Sequence, residues 1–229
     1  MKELQRVQKL LSNYGLCSRR KAEELIGQGR VSVNGKVITI GDKASEDDEI
    51  SVDNKVVEKE KNRYLMLNKP VGCVTAVKDL RYRTVMHYIH VKERVFPVGR
   101  LDYNTSGILL LTNDGDFANK VMHPRHETAK TYEVQSYDEI PDKAVNKIEE
   151  GIMLEDGKTF PAEVKRISGN TVQITIYEGR NRIIRRMMAK LGVRTKTLER
   201  IRIGKLGLGD LQPGRYRELT EKDKENLFR

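Results

Sequence analysis

Little in this chain suits export, metal chemistry or a membrane. Its 229 residues include two cysteines, six prolines and no tryptophan. Cys17 and Cys73 lie far apart, without CxxC or Cys/His spacing, so neither a disulfide framework nor a zinc site is supported and a reducing cytosol is the natural compartment. No stretch approaches the roughly 18 to 20 apolar residues that span a bilayer. The N-terminus is charged and polar where a secretory leader would be apolar. Four histidines and two cysteines offer no HxE motif with zinc ligands, which excludes a zinc deaminase. Neither GxGxxG nor a full GxxxxGK[ST] phosphate loop occurs. The expectation is a cytoplasmic, monomeric globular protein with no cofactor and no metal.

What is present is positive charge. Lys and Arg number 43 against 33 Asp and Glu, a net +10 and a pI near 9.5. Residues 178 to 217 hold twelve Lys/Arg and three Asp/Glu, a local +9 that accounts for nearly the whole surplus. A scattered excess would be read as a solubilising surface. Concentrated in one segment, it fits a polyanion such as RNA.

Leu4, Val7, Leu11 and Tyr14 recur at helical spacing and Gly15 follows, which predicts a helix over residues 3 to 14. Ser18 stands where an N-cap belongs, ahead of a second helix with Ala22, Leu25 and Ile26 on its apolar face. Two alternating runs around Asn34-Gly35 then predict a β-hairpin over residues 31 to 38. Arg19, Arg20 and Lys21 lie at the start of the second helix, where N–H groups and the helix dipole favour phosphate. Three such residues could equally be a solvated face. The polar, acidic stretch from Glu46 to Glu60 reads as the end of a first domain and a linker, with the boundary near residue 60.

Beyond it, a strand at 64–67 runs into the turn Asn68-Lys69-Pro70-Val71-Gly72, and a second at 95–98 leads to GRLDYNTSGILLLTNDG, residues 99 to 115. Ile108 to Leu111 forms a fully apolar strand, so the loop Gly99–Gly107 is held between two buried strands. Rigid strands present reactive side chains well, and Asp102 is the only acid in this loop. Read alone, Asp102 could simply cap a turn. The stretch 180–191 predicts a helix with Ile184, Met187, Met188 and Leu191 on one face and Arg182, Arg185 and Arg186 off it. Arg185 falls at the edge of the apolar face, where it could reach a half-buried carboxylate. Tyr132 lies in the alternating strand KTYEV and could be plain core packing. Arg200, Arg202, Lys205, Arg215 and Arg217 in the final segment read as a surface that positions an RNA backbone.

Two resemblances sharpen this. CSRRKAEELIGQGRVSVNGK, residues 17 to 36, resembles the RNA-binding fold named after small-subunit ribosomal protein S-four, over roughly residues 3 to 53. GRLDYNTSGILLLTNDG is similar to the catalytic motif of the RsuA/RluB family of ribosomal RNA pseudouridine synthases. NKPVG at 68–72, MHP at 122–124, KTYEV at 130–134, EGRNRIIRRM at 178–187 and LERIRIGKLGLGDLQPGRYRELT at 198–220 follow in that family's order. The resemblance implies an α+β chain: a helix-helix-hairpin RNA-binding domain over residues 1–60, then a pseudouridine-synthase domain with a mixed or antiparallel sheet over 61–229. It implies Asp102 as the attacking aspartate, Arg185 as its partner and Tyr132 against the target base. Arg100 would fill the space left by the extruded uridine, or else contact a phosphate. Arg182, Arg186, Arg200 and Arg202 join Arg19, Arg20 and Lys21 as RNA contacts. Ile183 departs from the glutamine most relatives carry, which puts substrate contacts in doubt more than the reaction. The expected partner is ribosomal RNA, with the large subunit favoured and small-subunit RNA or tRNA as alternatives. A noncatalytic RNA-binding assembly factor would keep the charge and the fold but has no need of Asp102, Tyr132 and Arg185 together.

Overall fold

The computed structural model describes residues 3–123, 125 and 128–228. Pro124 of the MHP motif lies outside the described residues. The backbone resolves into two compact units: Met1–Tyr64 with Val91–Phe96 and Thr112–Asp116, and Leu65–His90, Pro97–Leu111 and Phe117–Arg229.

In the first unit, helices Val7–Asn13 and Arg19–Gly27 bury Val7, Leu10, Leu11, Ala22, Leu25 and Ile26 in one cluster. The first helix is shorter than its periodicity predicts. Gln5 and Arg6 instead pair with Lys43–Ala44 as a two-stranded ribbon, and Leu4 is exposed. Gly15 takes the left-handed backbone that ends the helix, and the Ser18 hydroxyl accepts from the Lys21 N–H at 3.2 Å to start the next. The hairpin forms as expected, with Val31–Val33 against Lys36–Val37 and both turn residues, Asn34 and Gly35, at positive φ.

The acidic stretch is not simply a linker. Ile50–Val52 adds to the hairpin, and Lys55–Val56 pairs with it across Asp53-Asn54, both at positive φ. Ile50 is buried in the unit's core, which outweighs the polar residues around it.

The second unit is built on a nine-stranded mixed sheet. Its main path runs Glu163–Ser168, Thr171–Ile176, Lys130–Ser136, Thr195–Ile203, Ser106–Thr112, Tyr64–Lys69, Tyr216–Glu218, with Phe96–Val98 and Leu206–Gly207 paired at its side. The first four strands are antiparallel neighbours, whereas Thr195–Ile203 and Ser106–Thr112 run parallel. Ile108 to Leu111 are fully buried, as an unbroken apolar run demands. Helices Asp142–Glu150 and Ile183–Lys190 join the core through Ala144, Ile148, Ile184, Met187 and Met188 against Val134, Val172 and Ile174. Each fully buried side chain of this size contributes about 1.5–3 kcal/mol. The fold is α+β, and among the described residues no helix is long and apolar enough to cross a membrane.

The arginine-rich helix begins three residues later than predicted, at Ile183. Arg182 precedes it in a left-handed conformation at φ 49°, and Arg180 pairs with Glu178 and Asp156. Ile184, Met187 and Met188 bury as their spacing requires.

Candidate active site

The loop from Gly99 to Thr105 is fastened through its own carbonyls. Leu101 accepts from the Thr75 hydroxyl at 2.7 Å, Asp102 from the Thr105 N–H at 3.0 Å, and Tyr103 from the Gly72 N–H at 2.9 Å. Asn104 accepts from Arg185 Nη2 at 2.6 Å. The buried Lys69 ammonium donates to the carbonyls of Pro70, Asp102 and Thr105 at 3.0, 3.1 and 2.9 Å. Five consecutive carbonyls, 101 to 105, are thus held, and a loop so constrained presents its side chains without later ordering cost. Burial draws the Lys69 ammonium below the usual lysine range, opposed by nearby groups including Asp102.

At the loop's end Gly107 sits at φ 104°, and a Cβ there would collide with the carbonyl oxygen of Arg200. Only glycine lets the parallel strand come this close.

The Asp102 side chain is 37% exposed, and Nε of Arg182 and of Arg185 each stand 4.0 Å from its Oδ2. Among the described residues, no N–H donates to its carboxylate, so it caps no turn. Arg185 fills the predicted place beside Asp102, but its close bond is to the loop backbone. Burial lowers the Arg185 guanidinium's pKa, and the Asp102 carboxylate opposes that shift.

Asp102 lines two hollows. The larger, about 580 Å³, is bounded also by Arg100, Tyr132, Lys130, Arg182 and Arg200. It lies within the size range of small-ligand sites. The smaller, about 290 Å³, is formed with Tyr103, Asn104, Arg182 and Arg185. Sequence reasoning therefore brought together Asp102, Arg100, Tyr132, Arg182 and Arg185.

Other arginines are placed differently. Arg200 is only 4% exposed, so it is no part of an outer surface. A bulge against Thr131/Tyr132 resets the alternation of its strand, which leaves Arg200 inward with Leu198, Arg202 exposed and Ile203 buried. Arg186 forks onto Asp156 at 2.8 and 2.9 Å, a pairing inside the protein where a free phosphate contact was expected. Arg217 is likewise engaged, with Asp223. Arg19, Arg20 and Lys21 are exposed on the first unit as predicted, with Lys21 paired to Glu24. Ile183 is buried on the cavity wall, giving an apolar patch where an amide was the expected type.

Two residues were missed, Lys69 beneath the Asp102 loop and Lys130 on the cavity wall. Lys69 ends an apolar run and looks like the residue that leaves a strand. Lys130 could have been found, because alternation puts it on the face of Tyr132 and Val134. Its Nζ donates to the Thr128 carbonyl at 2.9 Å, and burial, then the charge of Arg200, pulls it down to about 8.

Residues 63–190 match the family model described as RNA pseudouridylate synthase. The chain belongs to that family. Residues 5–50 match the S4 domain, consistent with the helices and hairpin of the first unit. Over 98% of its length the chain is 44% identical to "Ribosomal large subunit pseudouridine synthase B" of Bacillus subtilis, covering 96% of that protein. It is 35% identical over 98% of its length to "Dual-specificity RNA pseudouridine synthase RluF" of Escherichia coli O6:H1, covering 78% of it. A crystal structure of a pseudouridylate synthase superposes with a TM-score of 0.73 at 34% identity, covering 97% of this chain and 99% of that one. The mixed sheet is thus the pseudouridine-synthase fold, and the chain is an RNA pseudouridine synthase.

Proposed function

We propose that this enzyme isomerises one uridine of ribosomal RNA, most naturally of the large subunit, with Asp102 as the nucleophile. The observation that carries the reading is a carboxylate on a backbone-fastened loop, opening on the same cavity as an aromatic ring and several cations. Arg182 and Arg185, each 4.0 Å from its carboxylate, offset the charge of the attacking Asp102. Tyr132 offers its ring to an extruded pyrimidine, whose flat face needs no particular sequence around it. Extrusion costs a few kcal/mol in a helix and less in a loop. Arg100, exposed at the cavity rim, fills the stack the uridine leaves. Arg19, Arg20, Lys21, Arg182 and Arg202 hold the phosphate backbone. The reaction conserves atoms and oxidation state, so the enzyme works without cofactor or metal. It acts as a monomer in the cytoplasm, with residues 1–60 as the RNA-binding domain and 61–229 as the catalytic domain. The 44% identity to a large-subunit synthase favours large-subunit RNA as substrate.

Pseudouridine mapping of ribosomal RNA from cells with the gene intact, deleted or carrying Asp102→Ala tests this. Loss of the same site in both altered strains is expected, and a large-subunit position would fix the substrate. An unchanged map would demote the protein to a noncatalytic RNA-binding factor.

A further inference from the structure

The guanidinium of Arg200 is a buried charge with few partners. It is 4% exposed, and among the described residues no carboxylate stands within ion-pair distance. Nε donates to the Ile108 carbonyl at 2.8 Å, and Nη1 lies 3.5 Å from the Tyr132 hydroxyl. Nη2 is buried without a hydrogen-bond partner among the described residues. A neutral side chain could satisfy one carbonyl and one hydroxyl without the cost of burying a charge.

A second cation stands on the same wall. Among the described residues Lys130 bonds only to the Thr128 carbonyl, and Arg200 is close enough to depress its ammonium. Both line the large cavity with Tyr132. Asp102 is claimed by Arg182 and Arg185, and Glu178, another carboxylate on the wall, pairs with Arg180 at 2.7 Å. The pocket wall thus holds a buried guanidinium and a half-buried ammonium that no carboxylate pairs with among the described residues.

We propose that Arg200, assisted by Lys130, is a catalytic residue that binds the uracil ring and stabilises the negative charge gathering on it during isomerisation. The inference rests on the reading that uridine occupies this cavity. When the N1–C1′ bond breaks, its electron pair stays with uracil and spreads over O2 and O4. An electron pair of the ring then forms the C5–C1′ bond, the C5 proton leaves and N1 takes up a proton, so atoms and electrons balance with no co-reactant. If the carboxylate first adds to C6 of the ring, the charge still collects on the ring oxygens as an enolate. Either course places an oxyanion where a preorganised, desolvated cation acts most strongly. Gly107 sets the placement: its missing Cβ lets the backbone of Arg200 approach the end of the Asp102 loop.

The test uses the full-length protein in single turnover on large-subunit ribosomal RNA transcripts, carrying either uridine or 5-fluorouridine. Fluorine withdraws electrons and makes the ring anion easier to form, so it lessens the need for a cation. Arg200→Gln keeps a donor for Ile108 but no charge. It is expected to lose about 100-fold in rate on uridine with RNA affinity within about twofold of wild type. Its deficit on 5-fluorouridine, read as rearranged fluorinated product, is expected to be at least about tenfold smaller, and Arg200→Lys to recover most of the rate. Lys130→Gln, which leaves the Arg200 side chain in place, is expected to show a weaker form of the same substrate dependence. Equal deficits on the two substrates, with Lys no better than Gln, would reduce Arg200 to a support for Tyr132. An unaffected Arg200→Gln overturns the inference alone, whereas a wild type inactive on both RNAs overturns the functional reading beneath it.

Discussion

The buried ammonium of Lys69 donates to the main-chain carbonyls of Asp102 and Thr105 at 3.1 and 2.9 Å, at both ends of one turn. The proposed nucleophile is therefore positioned by a cation bonded to its backbone. Lys69→Met would take this donor from three carbonyls; those of Asp102 and Pro70 keep the Thr105 N–H and the Cys73 thiol, whereas the Thr105 carbonyl, whose bond to Lys69 is buried, loses a donor that is costly to be without. The expected result is a lower melting temperature and a single-turnover rate reduced about 10- to 100-fold through misplacement of Asp102, with RNA affinity retained. Thermal melts, rate and affinity measured on one preparation check it. Full activity in the variant would show that the other tethers suffice.

Much of the fold was legible in the sequence. The Asn34-Gly35 hairpin, the Ser18 cap and the apolar strand at Ile108 each follow from a local rule, and the structure has all three. The strand Ile50–Val52 was not legible, because its buried Ile50 sits among residues whose polarity suits a linker. Arg200 was misplaced for a different reason. A bulge one residue later breaks the alternation, so a row of arginines that reads as one surface splits between the cavity and solvent. Lys69 was hidden because a lysine at a strand end is ordinarily exposed. Two of its three partners are backbone carbonyls more than thirty residues away in sequence, which no local pattern encodes.

Lys130 gives a pH dependence with a definite sign. Its pKa falls to about 8 in the folded protein, from 10.5 for an ordinary lysine. Between these values the unfolded chain binds more protons, so this residue makes folding stability rise with pH across that window. Below about pH 8 the folded state carries the full cost of the buried charge. Lys130→Met is expected to be more stable than wild type by about 2 kcal/mol at neutral pH, with the gap closing as pH approaches the unfolded value. Urea unfolding at neutral and alkaline pH measures it. A gap that does not change with pH would show that the ammonium bears no such cost.

Arg19 and Arg20 are exposed at the start of the second helix. If both hold phosphates, Arg19→Ala with Arg20→Ala should reduce the slope of log binding constant against log salt by about 1.4 to 1.8. Filter binding across a salt series reads this slope. An unchanged slope would return these residues to the role of a solvated face.

The most direct test of the central claim is pseudouridine formation by purified Asp102→Asn in single turnover, with RNA affinity measured alongside. The substitution keeps the shape of the side chain and leaves every carbonyl tether of the loop in place. The account predicts a rate at least about 1000-fold below wild type, since no ionised nucleophile remains, with affinity within about twofold. A variant that forms pseudouridine at the wild-type rate would contradict it.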